Sequence, residues 1–207
     1  MTIENLIKAI TTGNIEEVKK ILEQTENLNV RDYMGISPLH YAVINNKKDI
    51  VELLLAKGAD INIEDDVMDE KVTKIIPNMV NYRNRSIANR SLIKKEQAEG
   101  KTKHTYKLGT PFSYLFFSQY PYLNKKEKLE MAKFLISKGA DVNVIHPNDM
   151  NAPLIKAVLE NDLEMVKLLM ENGAFVDYDF IANKPLADAL KYGYTELAQY
   201  LISTGAF

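Results

Sequence analysis

The 207-residue chain has no cysteine, no tryptophan and only three histidines, and none of its apolar runs approaches the length of a bilayer span. Without cysteine there is no disulfide, no thiolate zinc site and no cysteine nucleophile, and the redox compartment is left undetermined. Charge of one sign is lacking too. With 26 Lys and Arg against 28 Asp and Glu the net charge is −2, so no global field draws the chain to nucleic acid or anionic membrane, and such a partner would need a local patch. The opening Met1-Thr2-Ile3-Glu4-Asn5 places Glu where a secretory leader carries Lys or Arg, and no long apolar core follows. This reads as a cytoplasmic start, compatible also with delivery into a host cell.

The motifs of familiar chemistries are absent as well: there is no glycine-rich phosphate loop, no Gly-x-Ser-x-Gly elbow and no His-Glu-x-x-His. The adjacent pairs Glu16-Glu17 and Asp65-Asp66 read as solvated carboxylates, not as an acid and base facing one another. His40, His104 and His146 lie far apart without short-spaced companions, unlike zinc ligands. Asp60, Asn62 and Glu64 alternate as a calcium loop begins, but the sixth position is Asp65, not Gly, and the twelfth is Lys71, not Glu. The expectation is a non-enzymatic chain with no catalytic residue, no cofactor and no metal.

What is present is self-similarity. Four segments end alike, at Gly58-Ala59-Asp60-Ile61-Asn62, Gly139-Ala140-Asp141-Val142-Asn143, Gly173-Ala174-Phe175-Val176-Asp177 and Gly205-Ala206-Phe207. Each follows apolar residues spaced i, i+1, i+3, i+4: Ile50, Val51, Leu53, Leu54; Met131, Ala132, Phe134, Leu135; Met165, Val166, Leu168, Leu169; Leu197, Ala198, Tyr200, Leu201. That spacing puts the four side chains on one helical face, and the Gly sits where a left-handed cap stops the helix. Upstream, Pro38, Pro111, Pro153 and Pro185 each open a second apolar run, as proline does in a first helical turn. A unit of helix, turn, helix and Gly cap, repeated roughly every 33 residues, is the pattern of a helical solenoid.

The unit Asp32-Tyr33-Met34-Gly35-Ile36-Ser37-Pro38-Leu39-His40-Tyr41-Ala42, continuing through Ile50-Val51 and Leu53-Leu54 to Gly58-Ala59-Asp60-Ile61-Asn62, resembles the ankyrin repeat family nearly position by position. The other units are degenerate at Thr110-Pro111-Phe112-Ser113, Ala152-Pro153-Leu154-Ile155 and Lys184-Pro185-Leu186-Ala187. The resemblance implies an all-α solenoid of about five helix-turn-helix repeats, near 1–31, 32–64, 105–146, 147–178 and 179–207, and a hydrogen-bonding role for His40 inside the repeat core.

Between repeats two and three the period breaks. Gly58 to Pro111 spans 53 residues, where Gly139 to Pro153 spans 14, so some 40 residues near 65–107 are inserted. Residues 71–107 carry ten Lys and Arg, among them Arg83, Arg85, Arg90, Lys94 and Lys95, against Glu96 and Glu99. Met79, Tyr82, Ile87, Leu92 and Ile93 form a weak stripe bounded by Pro77 and Gly100, so the insertion is read either as a helix packed on the solenoid or as a loop. A lengthened turn at Tyr120-Pro121-Tyr122 is expected to pack beside it.

The resemblance further implies partner contacts at the turn before each inner helix and near that helix's end. These are Tyr33, Met34, Ile36, Ile44, Asn45, Tyr106, Lys107, Phe117, Phe180, Ile181, Lys191 and Tyr192. The expected function is therefore binding of a protein partner by a monomer, on the concave repeat surface, the basic insertion, or both. The alternative is nucleic acid or another anionic surface held by the insertion.

Overall fold

The computed structural model describes residues 3–66, 70–75, 80–117, 123–148, 150–179 and 184–206, with the side chains of Val72, Thr73, Ile75 and Tyr82 excepted. Helix α1 (Ile3–Thr12) packs on α2 (Ile15–Leu22), and α3 (Pro38–Ile44) on α4 (Lys48–Ala56). The inserted stretch supplies α5 (Glu70–Ile75) and the 19-residue α6 (Val80–Ala98). The helix pairs then resume with α7 (Pro111–Tyr114), α8 (Lys125–Ser137), α9 (Pro153–Leu159), α10 (Leu163–Glu171), α11 (Pro185–Lys191) and α12 (Thr195–Ser203). First helices stack on first helices, α1 on α3 and α3 on α7, and second on second, α2 on α4 and α8 on α10. This is the all-α repeat solenoid that the sequence implies.

The recurrent Gly-Ala doublet has a mechanical cause. The Ala59 N–H donates to Leu54 O at 3.0 Å, and Ala140, Ala174 and Ala206 do the same to Leu135, Leu169 and Leu201. This six-to-one bond needs the residue before the Ala in the left-handed region, where Gly58 sits at φ +92° and Gly139 at φ +91°. The same bond closes turns between paired helices, with Asn46 and Asn161 taking the left-handed position. Leu54, Leu135, Leu169 and Leu201, which accept these bonds, are fully buried in one core that runs from Leu6 to Ala206. Burial of each such side chain contributes roughly 1.5–3 kcal/mol.

The Asp-x-Asn ending is a staple, not a metal loop. Asn62 donates from its amide to Gly139 O at 3.0 Å and accepts the Asp141 N–H at 2.8 Å. Asn143 repeats both bonds to Gly173 O and Phe175 N–H. The unit ending at Asn62 is thus bonded directly to the unit ending at Asn143, although the insertion lies between them in sequence. At the base of the insertion Asp65 N–H donates to Gly109 O at 2.8 Å, and just beyond it β1 (Lys107–Leu108) pairs in parallel with β2 (Val144–Ile145). The insertion leaves and rejoins a continuous stack.

Candidate functional site

The surface that distinguishes this chain lies where the insertion meets the turns of the repeats. Its base is a buried polar knot. His40 Nε2 donates to Gly109 O at 2.8 Å, which fixes that tautomer, and Nδ1 accepts from the Ser37 hydroxyl at 2.8 Å. Asp65 accepts from the Tyr114 hydroxyl at 2.6 Å and is ion-paired with Arg90 of α6. The His146 ring stacks on Phe117 at 3.7 Å and meets the Tyr114 ring edge-on. Burial lowers His40 to about 3 and carries His146 well below the usual imidazole range, so both rings are neutral. Burial pushes the Asp65 carboxyl up to about 6 against the opposing pull of Arg90 and Tyr114. Gly109 admits all this only because it has no side chain: a Cβ there would lie 1.7 Å from Asp65 Oδ1.

From the knot, α6 packs inward through Ile93, which is fully buried with Tyr106, Leu108, Ile145, Ile155 and Tyr178. The Asn89 amide donates to Pro147 O at 2.6 Å. The segment after α6 is then clamped to Phe175, Asp177 and Asp179. Lys103 Nζ reaches Asp177 at 2.7 Å, the Tyr106 hydroxyl donates to Asp179 at 2.9 Å, and the His104 ring stacks on Phe175 at 3.8 Å. The Lys103 hydrogen bond, then that of His104, hold Asp177 below the usual carboxylate range.

Several expected site residues are placed elsewhere by this packing. Ile36 and Ile44 are buried with Tyr114, Tyr106 is buried under α6, and Phe117 is buried against His146, so none of the four presents a side chain to a partner. Arg90 is buried too, because Asp65 removes it from the exposed basic set; of the pair read as solvated, Asp65 is buried and Asp66 exposed. Met34, Asn45 and Lys107 are half-buried, with the Asn45 amide bonded to Tyr41 O at 2.8 Å. Tyr33 is 58% exposed and Tyr192 49%, beside exposed Lys191. Arg85, Lys94 and Lys95 are exposed and Arg83 is half-buried. Phe180, Ile181 and the Tyr120-Pro121-Tyr122 turn lie outside the described residues.

The knot was hidden by type, since neither Asp65 in an acidic run nor Arg90 in a basic one advertises burial. The signal available was that Ser86, Arg90 and Gln97 share a helical face with apolar Ile93, with Arg90 donating to Ser86 Oγ at 3.1 Å. Among the described residues no three His, Asp or Glu stand together as a metal site would require. No described helix is long and apolar enough to cross a membrane.

A family model described as ankyrin repeats matches residues 4–65 and 122–207, most of the chain and both sides of the insertion. The chain belongs to the ankyrin repeat family. Ankyrin repeats are generally protein–protein interaction modules. Relatives include the zebrafish (Danio rerio) protein named "Putative palmitoyltransferase ZDHHC13", 28% identical over 84% of this chain and 30% of that protein. The human transient receptor potential cation channel subfamily A member 1 is 30% identical over 82% of this chain and 14% of its own length. The chicken (Gallus gallus) nuclear factor NF-kappa-B p105 subunit is 28% identical over 93% of this chain and 19% of its own. The chain thus spans less than a third of each of these three relatives, whose names describe unrelated activities.

Proposed function

We propose that this ankyrin repeat chain is a non-enzymatic, monomeric, cytoplasmic protein-binding module. Its partner contacts the repeat turns through Tyr33 and Met34 and through Lys191 and Tyr192, with the insertion as a second element of the same recognition. The observation that carries this reading is the pair of tyrosines, Tyr33 and Tyr192, left half in water on turn positions of the stack. Tyrosine supplies large contact area with few rotamers to order, which is why binding surfaces favour it.

Nucleic acid is less well supported. Of the insertion's cations, Arg90 is neutralised by Asp65, Lys103 by Asp177 and Lys101 by Glu99, and Tyr106 is buried and so unable to stack on a base. The test is affinity capture by the full chain and by a Tyr33→Ala/Tyr192→Ala variant. Loss of a protein captured by the unaltered chain is the expected result. Capture unchanged by both substitutions, or capture abolished by nuclease, would overturn it.

A further inference from the structure

The two long faces of α6 differ in kind. Inward, Ser86, Arg90 and Ile93 are buried. Outward, Arg85, Ala88, Leu92 and Lys95 are exposed, Leu92 to 47%. These four stand at i, i+3, i+7 and i+10, the spacing of a single stripe that a second helix can lie along. An apolar side chain occupies the middle of the stripe, a small residue lies one turn before it, and a cation stands at either end.

Charge sharpens the contrast with the rest of the surface. From Val80 to Lys95, α6 carries Arg83, Arg85, Arg90, Lys94 and Lys95 and no acidic residue. Three other surface helices each pair one lysine internally at i, i+3, through Lys19–Glu16, Lys133–Glu130 and Lys167–Glu164. Among the described residues no carboxylate pairs with Arg85, Lys94 or Lys95. In a chain of net −2 the outer stripe thus keeps two exposed cations, Arg85 and Lys95, that no carboxylate among the described residues pairs with.

We infer that the outer stripe of α6 is a docking surface for an acidic helical segment of the partner protein. An apolar side chain of that segment seats on Leu92 over Ala88, and its carboxylates pair with Arg85 and Lys95. Phosphates would satisfy the cations but have no use for a leucine at the centre of the stripe. Because Asp65, Ile93 and Pro147 already hold α6, little further ordering is needed on binding. The inference rests on the protein-binding reading above and names the chemistry of the partner.

The probe is a fluorescent synthetic peptide of about 20 residues, helical, with leucines on one stripe flanked by glutamates, titrated against the full chain at low and high salt. The expected result is saturable binding that Arg85→Glu/Lys95→Glu weakens at least about tenfold, most at low salt. Leu92→Ser weakens it about tenfold at both salt levels, because apolar burial is unscreened. All these side chains are exposed, so the variants keep the unfolding midpoint of the parent. Failure of the peptide to bind, indifference to Leu92→Ser, or tighter binding of a single-stranded oligonucleotide that ignores Leu92 would overturn the proposal. Cellular capture separates the two readings. Loss by Tyr33→Ala/Tyr192→Ala with survival in Arg85→Glu/Lys95→Glu leaves the module standing and removes the α6 surface, whereas no effect of either set removes both.

Discussion

At its base the insertion is held by Asp65, Arg90, Tyr114 and His40, all buried, and at its far end by Lys103, which is exposed, and by His104 and Asp177, which are half-buried. The Arg90 and Asp65 side chains are 8% and 5% exposed, and those of Lys103 and Asp177 are 70% and 44%. Both contacts are ion pairs, yet they do different things. A buried pair is costly to break because the survivor is left charged without water, while an exposed pair exchanges one set of partners for solvent. The knot therefore decides whether the insertion lies on the stack, and the clamp decides how closely its end follows the surface.

The largest effect should come from Arg90→Met, which leaves Asp65 buried with only the Tyr114 hydroxyl and should cost about 3–5 kcal/mol in urea unfolding. Adding Asp65→Asn removes the stranded charge, so the double variant should be more stable than Arg90→Met alone. A double variant as unstable as the sum of its parts would mean that the pair is not coupled, and the contrast with the clamp would disappear.

Acid should act on the knot before the clamp. His40 is neutral in the folded state down to about 3 and burial holds His146 well below the usual imidazole range, so as pH falls below that range the unfolded chain takes two protons that the folded chain refuses. Asp65 runs the other way, gaining its proton when folded at about 6 but only near 3.8 when unfolded. Two protons favouring unfolding less one favouring folding leave one, so stability should fall by about 1.4 kcal/mol per pH unit between these limits. Denaturation followed across that range tests it, and His146→Phe should flatten the slope toward zero. The clamp behaves differently: Asp177 is held below its ordinary value, and its contribution is lost only as pH falls through the carboxylate range below that of Asp65.

The same contrast explains how much was legible in the sequence. Helix starts at Pro38, Pro153 and Pro185 and stops at Gly58, Gly139 and Gly173 are local events, written within a turn of the residues that cause them. The helix of the insertion could be suspected from Ile87 and Ile93, but not its seat, because Arg90 meets Asp65 across 25 positions and both look like surface residues. Tyr106 and Phe117 read as contact aromatics because turns are normally exposed. They are buried because the insertion and the neighbouring unit close over them, a tertiary effect that no local spacing records. Tyr33 and Tyr192 kept the exposure that the repeat pattern implied.

The smallest effect should come at the clamp. Asp177→Asn removes the carboxylate facing Lys103 and His104, but Asp179 still accepts the Lys103 N–H at 3.1 Å and the Tyr106 hydroxyl at 2.9 Å. The His104 ring remains stacked on Phe175, an apolar contact that does not depend on charge. The urea midpoint should therefore stay that of the parent, because the lost interaction was already screened by solvent. What should change is local: amides of residues 103–106 should exchange faster in Asp177→Asn, and raising the salt should bring the parent toward the variant. A large drop in midpoint would show that the exposed end carries the insertion after all, and that the buried knot is only where the segment happens to begin.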